Sequence, residues 1–387
     1  MSKTYELNKG LPVIQRRIKR MIKKTKPLII GVAGGSGSGK TTRVAKSLHD
    51  CFPGSVILSM DDYFKGRHFM ESIGSDNWDE PRALDLDLLK WHLELLKCGL
   101  SIQKSIYSFE TGTREGYEEF QSADLIILEG LFALHDTIVS RVDCKIFVDI
   151  SVHGSLLRRL LRDVGRTGQT ERDIFRQYVE TVYPMYKLHV EPTKSRADVI
   201  IVNQYVPEIE AESCQSQEIQ IKVFLRREIP LDELAKIGFR LRSSALQQDT
   251  YYSAPNWEKN YKGELMRIRE EGGRYFLAYK GPVCSGSFRI KPKIEFEVEP
   301  GLKDALEKLG YKRTLSLKKI RRKFSERDNL ELVMDRIENN GEFLEFRAKN
   351  HEGKAEITEL LKKLGIRKKD TTKKSYLEIL LSKKTSG

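Results

Sequence analysis

Eight consecutive residues, Gly34-Gly35-Ser36-Gly37-Ser38-Gly39-Lys40-Thr41, constrain this chain more than any other feature. They match GxxxxGK[ST], come directly after the apolar run Leu28 to Val32, and precede a helical pattern that opens at Thr41. Glycines here let the backbone curl until its N–H groups point at phosphate oxygens, and the helix N-terminus adds a favourable dipole. Gly34 to Thr42 are therefore expected to bind ATP, with Lys40 neutralising the β- and γ-phosphates and the Thr41 hydroxyl meeting Mg2+. A structural glycine turn is the simpler alternative. With glycine at about 7% of residues, chance supplies such a match in a chain of this length on the order of once in a hundred.

The surroundings of the motif predict an α/β unit. Leu28 to Val32, Val56 to Ser59, Asp124 to Leu128, Lys145 to Asp149 and Asp198 to Val202 read as buried strands. Helical patterns at Thr41 to Cys51, Asp85 to Lys97 and Gly154 to Asp163 lie between them. Such alternation predicts a parallel sheet with flanking helices over residues 27–206. Residues 1–26 contain a basic amphipathic helix, with Ile14, Ile18, Met21 and Ile22 on one face, read as a lid packed on the α/β unit.

Two carboxylates complete a phosphoryl-transfer site. Glu129 ends the strand at Leu128 and sits where an acid would meet the metal. Asp61 or Asp62 ends the strand at Ser59, where a general base could take a proton from an acceptor hydroxyl. A lone Asp after a strand is more often a helix cap, so the conjunction with the phosphate loop carries the argument.

Residues 28 to 203 resemble the uridine kinase and phosphoribulokinase family. The phosphate loop, Ser59-Met60-Asp61-Asp62-Tyr63-Phe64, Asn77-Trp78-Asp79-Glu80-Pro81, Leu128-Glu129-Gly130 and Arg158-Arg159-Leu160-Leu161-Arg162-Asp163 occur in the family's order. The resemblance implies that Asp61 is the base, that Asp79 holds ribose hydroxyls, and that Arg162 and Arg166 lie in a lid over the phosphates. It places Gln177 and Tyr107 at the acceptor. Simple solvation at the helix surface is the competing reading for the arginines, stronger at Arg158 than at Arg162. Where the family has a base-contacting histidine, this chain has Gly112.

The texture changes after residue 206. Pro207 to Gln217 is polar and acidic and reads as a linker, and residues 218–387 then alternate polar with apolar residues on strand after strand. Hairpin-like turns fall at Glu271-Gly272-Gly273 and Asn339-Asn340-Gly341. The pattern predicts an α+β unit built on an antiparallel β-barrel. Arg267 and Arg269 share a strand face, as do Glu218 and Lys222, Glu295 and Glu297, and Lys319 and Arg321, while Lys280 and Glu345 lie on further strands. A polar interior with cations on some strands and carboxylates on others could hold a metal-bound polyphosphate.

This half resembles the CYTH, or triphosphate tunnel metalloenzyme, family, through Gln248-Asp249-Thr250-Tyr251-Tyr252, Leu265-Met266-Arg267-Ile268-Arg269 and Lys319-Ile320-Arg321. The resemblance implies pyro- or triphosphate binding, with hydrolysis supported by Mg2+ or Mn2+ on the glutamates. Two positions depart from the family. Gln220 replaces the second glutamate of ExExK, and Arg347 stands where a further carboxylate is usual.

A net charge of +13 over 387 residues favours anionic partners. A nucleic-acid or membrane binder would need clustered basic residues with exposed aromatics. Here many cations alternate along strands, so nucleic acid ranks last. No apolar run approaches the roughly 20 residues a membrane helix needs. The five cysteines form no CxxC pair, which predicts the cytoplasm and neither zinc nor a disulfide framework. The oligomeric state stays open.

Overall fold

The computed structural model describes residues 3–204, 217–255, 265–280, 289–325, 330–348, 351–372 and 374–384. The chain divides into two compact units, residues 1–205 and 206–387. Of the expected linker, all but Gln217 lies outside the described residues.

In chain order the first unit has β1 (Lys3–Glu6), α1 (Leu7–Met21), β2 (Leu28–Gly34), α2 (Lys46–Cys51), β3 (Val56–Ser59), α3 (Arg67–Ser72) and α4 (Leu86–Lys97). It continues with β4 (Ile102–Ser108), β5 (Thr113–Phe120), β6 (Leu125–Gly130), β7 (Cys144–Asp149), α5 (Val152–Thr167), α6 (Glu171–Gln177) and β8 (Val199–Val202). Six strands form one sheet in the order β1-β8-β7-β2-β6-β3, all parallel. β2 and β6 are buried at every position, as their unbroken apolar runs require of strands covered on both faces. Side-chain caps set the helix starts. Asp85 accepts from the Leu88 N–H (3.2 Å), Ser151 from that of Gly154 (3.1 Å), and Thr170 with Asp173 closes a capping box on α6.

β4 and β5 carry no strand signal in the sequence, and they form a separate antiparallel hairpin. Six of its fifteen residues are exposed, four of them on β5, so no continuous apolar pattern marks it. The N-terminal helix starts earlier than expected, and Ile14 and Ile18 are fully buried in one core with Leu28, Ile30 and Ile201. The helix is part of the core, and its basic side faces outward.

The second unit has β9 (Gln217–Phe224), β10 (Leu241–Ser253), β11 (Leu265–Glu271), β12 (Arg274–Lys280) and β13 (Arg289–Val298). It ends with β14 (Lys312–Phe324), β15 (Leu330–Ile337), β16 (Gly341–Ala348) and β17 (Thr371–Thr372). Their order is β13-β12-β11-β10-β14-β15-β16-β9-β17, and β13 also pairs with β9. Antiparallel pairing therefore runs all the way round β9 to β16. Gly272, Gly273, Asn339 and Gly341 have φ of 58°, 77°, 58° and 85° in the two hairpin turns, the backbone that glycine and asparagine tolerate best.

Side chains divide cleanly between two faces. Ile221, Val223, Leu332, Met334, Leu344 and Phe346 pack outward with Ile357 and Leu360 of the helix His351–Lys363. Lys222, Asp335 and Glu345, on the alternate positions, point inward and are buried. β10 has no strand signal in the sequence because its pattern is inverted. Leu246 and its partner Ile320 are exposed, while their neighbours Gln247 and Lys319 are buried. A further helix, Tyr376–Lys384, lies beyond the sequence expectations and places Tyr376, Leu377 and Leu380 against Tyr251, Leu317, Ile337 and Phe343.

Docking of α1 into the core makes a direct prediction. Ile18→Ala is expected to lower unfolding free energy by about 2–5 kcal/mol in urea titration, whereas Lys19→Ala on the outer face leaves the transition in place.

Candidate active site and charged tunnel

The phosphate loop lies between β2 and the helical turn Lys40–Ala45 that leads into α2. Gly37 and Gly39 have φ of 74° and 82°, which glycine adopts at little cost. Space also requires glycine, since a Cβ at Gly39 would stand 2.4 Å from Asn203 Nδ2. Donors from α5 and from the residue after β8 hold the loop. Ser155 Oγ donates to the Ser36 carbonyl (2.7 Å), Arg158 Nη1 to that of Gly37 (3.1 Å), and Asn203 Nδ2 to that of Ser38 (2.6 Å). An amide cradle needs its carbonyls held in this way, because one turned inward would repel a phosphate oxygen.

Ser155, Arg158, Arg159 and Arg162 recur at helical spacing and share one face of α5. Arg158, for which simple solvation at the helix surface is the alternative, is a clamp on the loop. Arg159 donates to the Ser36 hydroxyl (2.8 Å) and to Gln177 Oε1 (2.9 Å). Arg162 rests on the Asp163 carboxylate at 2.5 and 3.1 Å with its side chain half exposed. Arg166 lies on α5, and its side chain is outside the described residues.

Glu129 ends β6, beside β2. Its carboxylate accepts from Thr41 Oγ1 at 2.7 Å and from Ser59 Oγ at 3.0 Å. Among the described residues no three His, Cys, Asp or Glu side chains cluster as a metal site. Mg2+, however, is commonly held by one or two carboxylates plus the substrate's phosphates. A buried carboxylate beside a threonine hydroxyl fits that pattern.

The structure separates Asp61 from Asp62. Lys104 Nζ donates to the Asp62 carboxylate at 2.8 Å, and Ser105 Oγ donates to its carbonyl, so Asp62 ties its turn to β4. Asp61 is exposed and stands near Tyr107. Burial pushes the Tyr107 phenol up to about 12, with Arg67 pulling against it and the Asp61 carboxylate adding to it. Tyr107 sits 5.2 Å from the Phe64 ring and 5.3 Å from that of Phe109, with Trp78 beyond Phe64 at 5.7 Å. Gly112 closes this group at φ 70°, its carbonyl accepting from the Arg67 N–H at 2.8 Å. Burial raises the Asp79 carboxyl, and Arg159 and Lys40 oppose that rise. Arg159 thus has the Ser36 hydroxyl, Gln177 and Asp79 around it.

In the second unit every described inward cation meets a carboxylate. Arg267 and Arg269 donate to Asp249 at 2.8–3.0 Å, and Lys319 lies 3.2 Å from Asp249 and 3.4 Å from Asp335. Arg321 forks onto Asp335 at 2.5 and 2.7 Å, and Lys222 lies 3.5 Å from Glu345. The Tyr376 hydroxyl donates to Asp335 at 2.8 Å, and Lys222 and Lys319 lie over its ring. Glu295 is 3.5 Å from Arg267, whereas Glu297 is drawn to Arg274. The side chains of Glu218 and Lys280 lie outside the described residues.

Asp249, Asp335 and Tyr376 are candidate site residues absent from the sequence expectations. Alternation along β15 puts Asp335 on the inward face, so period two held that signal, whereas Asp249 is placed there by the pairing of β10 with β11. Burial would raise Asp249, but Arg267, Lys319 and Arg269 hold it well below the usual carboxylate range. Burial and the neighbouring Arg321 bring the Lys319 ammonium down to about 7, against the pull of Asp249 and Asp335.

Comparison with known proteins agrees with both geometries. The phosphoribulokinase / uridine kinase family model matches residues 29–210, and the CYTH domain model matches residues 216–376. A uridine kinase of Bacillus pumilus is 42% identical over 184 residues, covering 46% of this chain and 87% of that protein. Uridine-cytidine kinase C of Dictyostelium discoideum is 27% identical across 98% of this chain and 84% of its own length. Inorganic pyrophosphatase TTM2 of Arabidopsis thaliana is 32% identical over 78% of this chain, which spans 44% of that relative's length. No helix among the described residues is long and apolar enough to cross a membrane.

The buried charges lead to two expected outcomes. Asp335→Ala strands Arg321 and Lys319 and is expected to cost about 3–5 kcal/mol in urea unfolding. A polyphosphate entering the tunnel raises the Lys319 pKa, so the bound form holds more protons than the free form above pH 7. Binding at pH 8 is then expected to take up a proton and to weaken as pH rises. Calorimetry in two buffers of different ionisation enthalpy reads that proton, and Lys319→Met removes it.

Proposed function

We propose, for a chain that belongs to the phosphoribulokinase / uridine kinase family in its first unit and carries a CYTH domain in its second, an ATP-dependent transfer of phosphate to a hydroxyl of a nucleoside or similar small acceptor. The observation that carries this reading is Glu129, held between Thr41 and Ser59, with Asp61 two residues beyond Ser59 at the carboxyl end of the neighbouring strand.

The phosphate loop, Gly34 to Thr42, binds the ATP phosphates, and Lys40 sets an ammonium against their charge. Thr41 and Glu129 would hold Mg2+, which, when bound, neutralises charge on the phosphates. Phe64, Trp78, Tyr107 and Phe109 offer ring faces to a planar base, and Asp79 and Gln177 serve the acceptor's other polar groups. The acceptor oxygen attacks the γ-phosphorus as the bridging oxygen leaves with ADP, and the hydroxyl proton passes to the Asp61 carboxylate. Arg162 and Arg166 belong to the ATP side in this reading.

The second unit takes pyrophosphate, triphosphate or a nucleotide on Lys222, Arg267, Arg269, Lys280, Lys319 and Arg321. A hydrolytic role there is a second reading, favoured by likeness to a relative named as an inorganic pyrophosphatase, and Glu218, Glu295, Glu297 and Glu345 would then serve Mg2+ or Mn2+. A cytoplasmic location belongs to the same proposal.

ADP release measured across a panel of nucleosides tests the kinase. Lys40→Ala is expected to abolish turnover with every acceptor. Asp61→Ala is expected to lower kcat by about 10²–10⁴ while ATP binding persists. Undiminished turnover in Lys40→Ala would defeat the reading. Phosphate release from pyrophosphate, compared with Arg267→Ala, decides between binding and hydrolysis in the tunnel.

A further inference from the structure

We propose that Arg347 stands in for a bound cation in the second unit, so that the tunnel takes a linear polyphosphate without a divalent metal. The inference rests on the reading of this tunnel as a phosphate site and adds how its charge is balanced.

Phe343, Glu345 and Arg347 alternate along the inward face of β16, away from Leu344, Phe346 and Ala348, which belong to the outer core. Phe343 packs with Tyr376 at one end of the tunnel, so Arg347 sits four residues further along, towards the other end. Directly opposite it across the strand pair is Gln220, and on its other side is Glu331. Gln220 is buried and adds no charge. Arg347 Nε donates to Glu345 Oε1 at 2.8 Å, and its Nη1 donates to Glu331 Oε2 at 3.2 Å. The other oxygen of Glu345 lies 3.5 Å from Lys222 and 3.8 Å from Arg321.

Both oxygens of this buried carboxylate are therefore already met by protein cations. A divalent ion placed there would have to displace a guanidinium and would remain beside Lys222 and Arg321, a repulsion that low-dielectric surroundings strengthen. An anion meets the opposite field. The described inward cations Lys222, Arg267, Arg269, Lys319, Arg321 and Arg347 meet the buried Asp249, Asp335 and Glu345 and the less buried Glu295 and Glu331, which leaves the cations in excess by one. Arginine also suits the task chemically, since its fork can share donors between a carboxylate and a phosphate oxygen. The neutral Gln220 facing Arg347 is part of the same arrangement, because a glutamate there would restore an acidic pair able to attract a metal.

The test is calorimetric titration of the full-length chain with inorganic tripolyphosphate, in EDTA and in Mg2+. Lys40→Ala is carried throughout so that the first unit's phosphate loop does not contribute. Binding in EDTA is expected to be within about threefold of that in Mg2+. Arg347→Gln is expected to weaken binding in EDTA about 10- to 100-fold, the loss of one charge-assisted contact. Arg347→Lys, which keeps the charge, retains most of the affinity and separates that loss from misfolding. The double variant Gln220→Glu with Arg347→Glu is expected to bind tripolyphosphate only when Mg2+ is present. Wild-type tunnel binding that requires Mg2+, or an Arg347→Gln affinity equal to wild type, would overturn the proposal and leave the phosphate-tunnel reading standing. No heat under either condition would defeat both.

Discussion

Charge taken out of water has to be met by opposite charge or by aligned donors, and both units are built around that requirement. Lys319 shows it in the strictest form. Its side chain is wholly buried, its ammonium lies between Asp249 and Asp335, and the Tyr376 ring covers it. Each of those carboxylates also serves an arginine, so the buried charges form a connected network. Removing one member leaves its neighbours uncompensated. The sheet that wraps round this network keeps its apolar residues on the outside, under the helix His351–Lys363, an inversion that makes sense only because the interior is polar.

The first unit applies the same rule to a surface that must receive phosphate. Its loop carries no acid of its own, and α5 turns a face of hydroxyl and guanidinium donors onto the loop's carbonyls and the Ser36 hydroxyl. Glu129, a buried acid beside the loop, is satisfied by two hydroxyls. Hydroxyls are weaker partners than a cation, and a metal could replace them. The tunnel carboxylates, in contrast, are matched by guanidinium and ammonium groups that a metal would have to displace. The same residue type thus serves different chemistry in the two units, depending on which donors face it.

Much of this is legible in the chain itself. Unbroken apolar runs locate β2, β3, β6, β7 and β8 to within two residues at either end, since a strand covered on both faces has no room for polar residues. The phosphate loop declares itself because only glycine fits its φ values and its contact with Asn203. Strands with regular alternation, such as β15, are also visible. β10 is not, because its buried positions include Gln247 and Asp249 and two of its exposed positions are leucine, contrary to the usual expectation for a strand face.

A phosphate loop on a parallel sheet, and a second half rich in cations at alternating positions, are specified by the chain alone, because local backbone geometry and side-chain period are written residue by residue. Which arginine touches the loop, which of Asp61 and Asp62 meets Lys104, and what Arg347 faces are settled only by packing in three dimensions. Arg159 and Arg162 are equivalent as letters on one helix face, and only packing gives one of them Ser36 and the other Asp163. Arg347 and Gln220 are 127 positions apart in the chain, and strand register alone makes them neighbours.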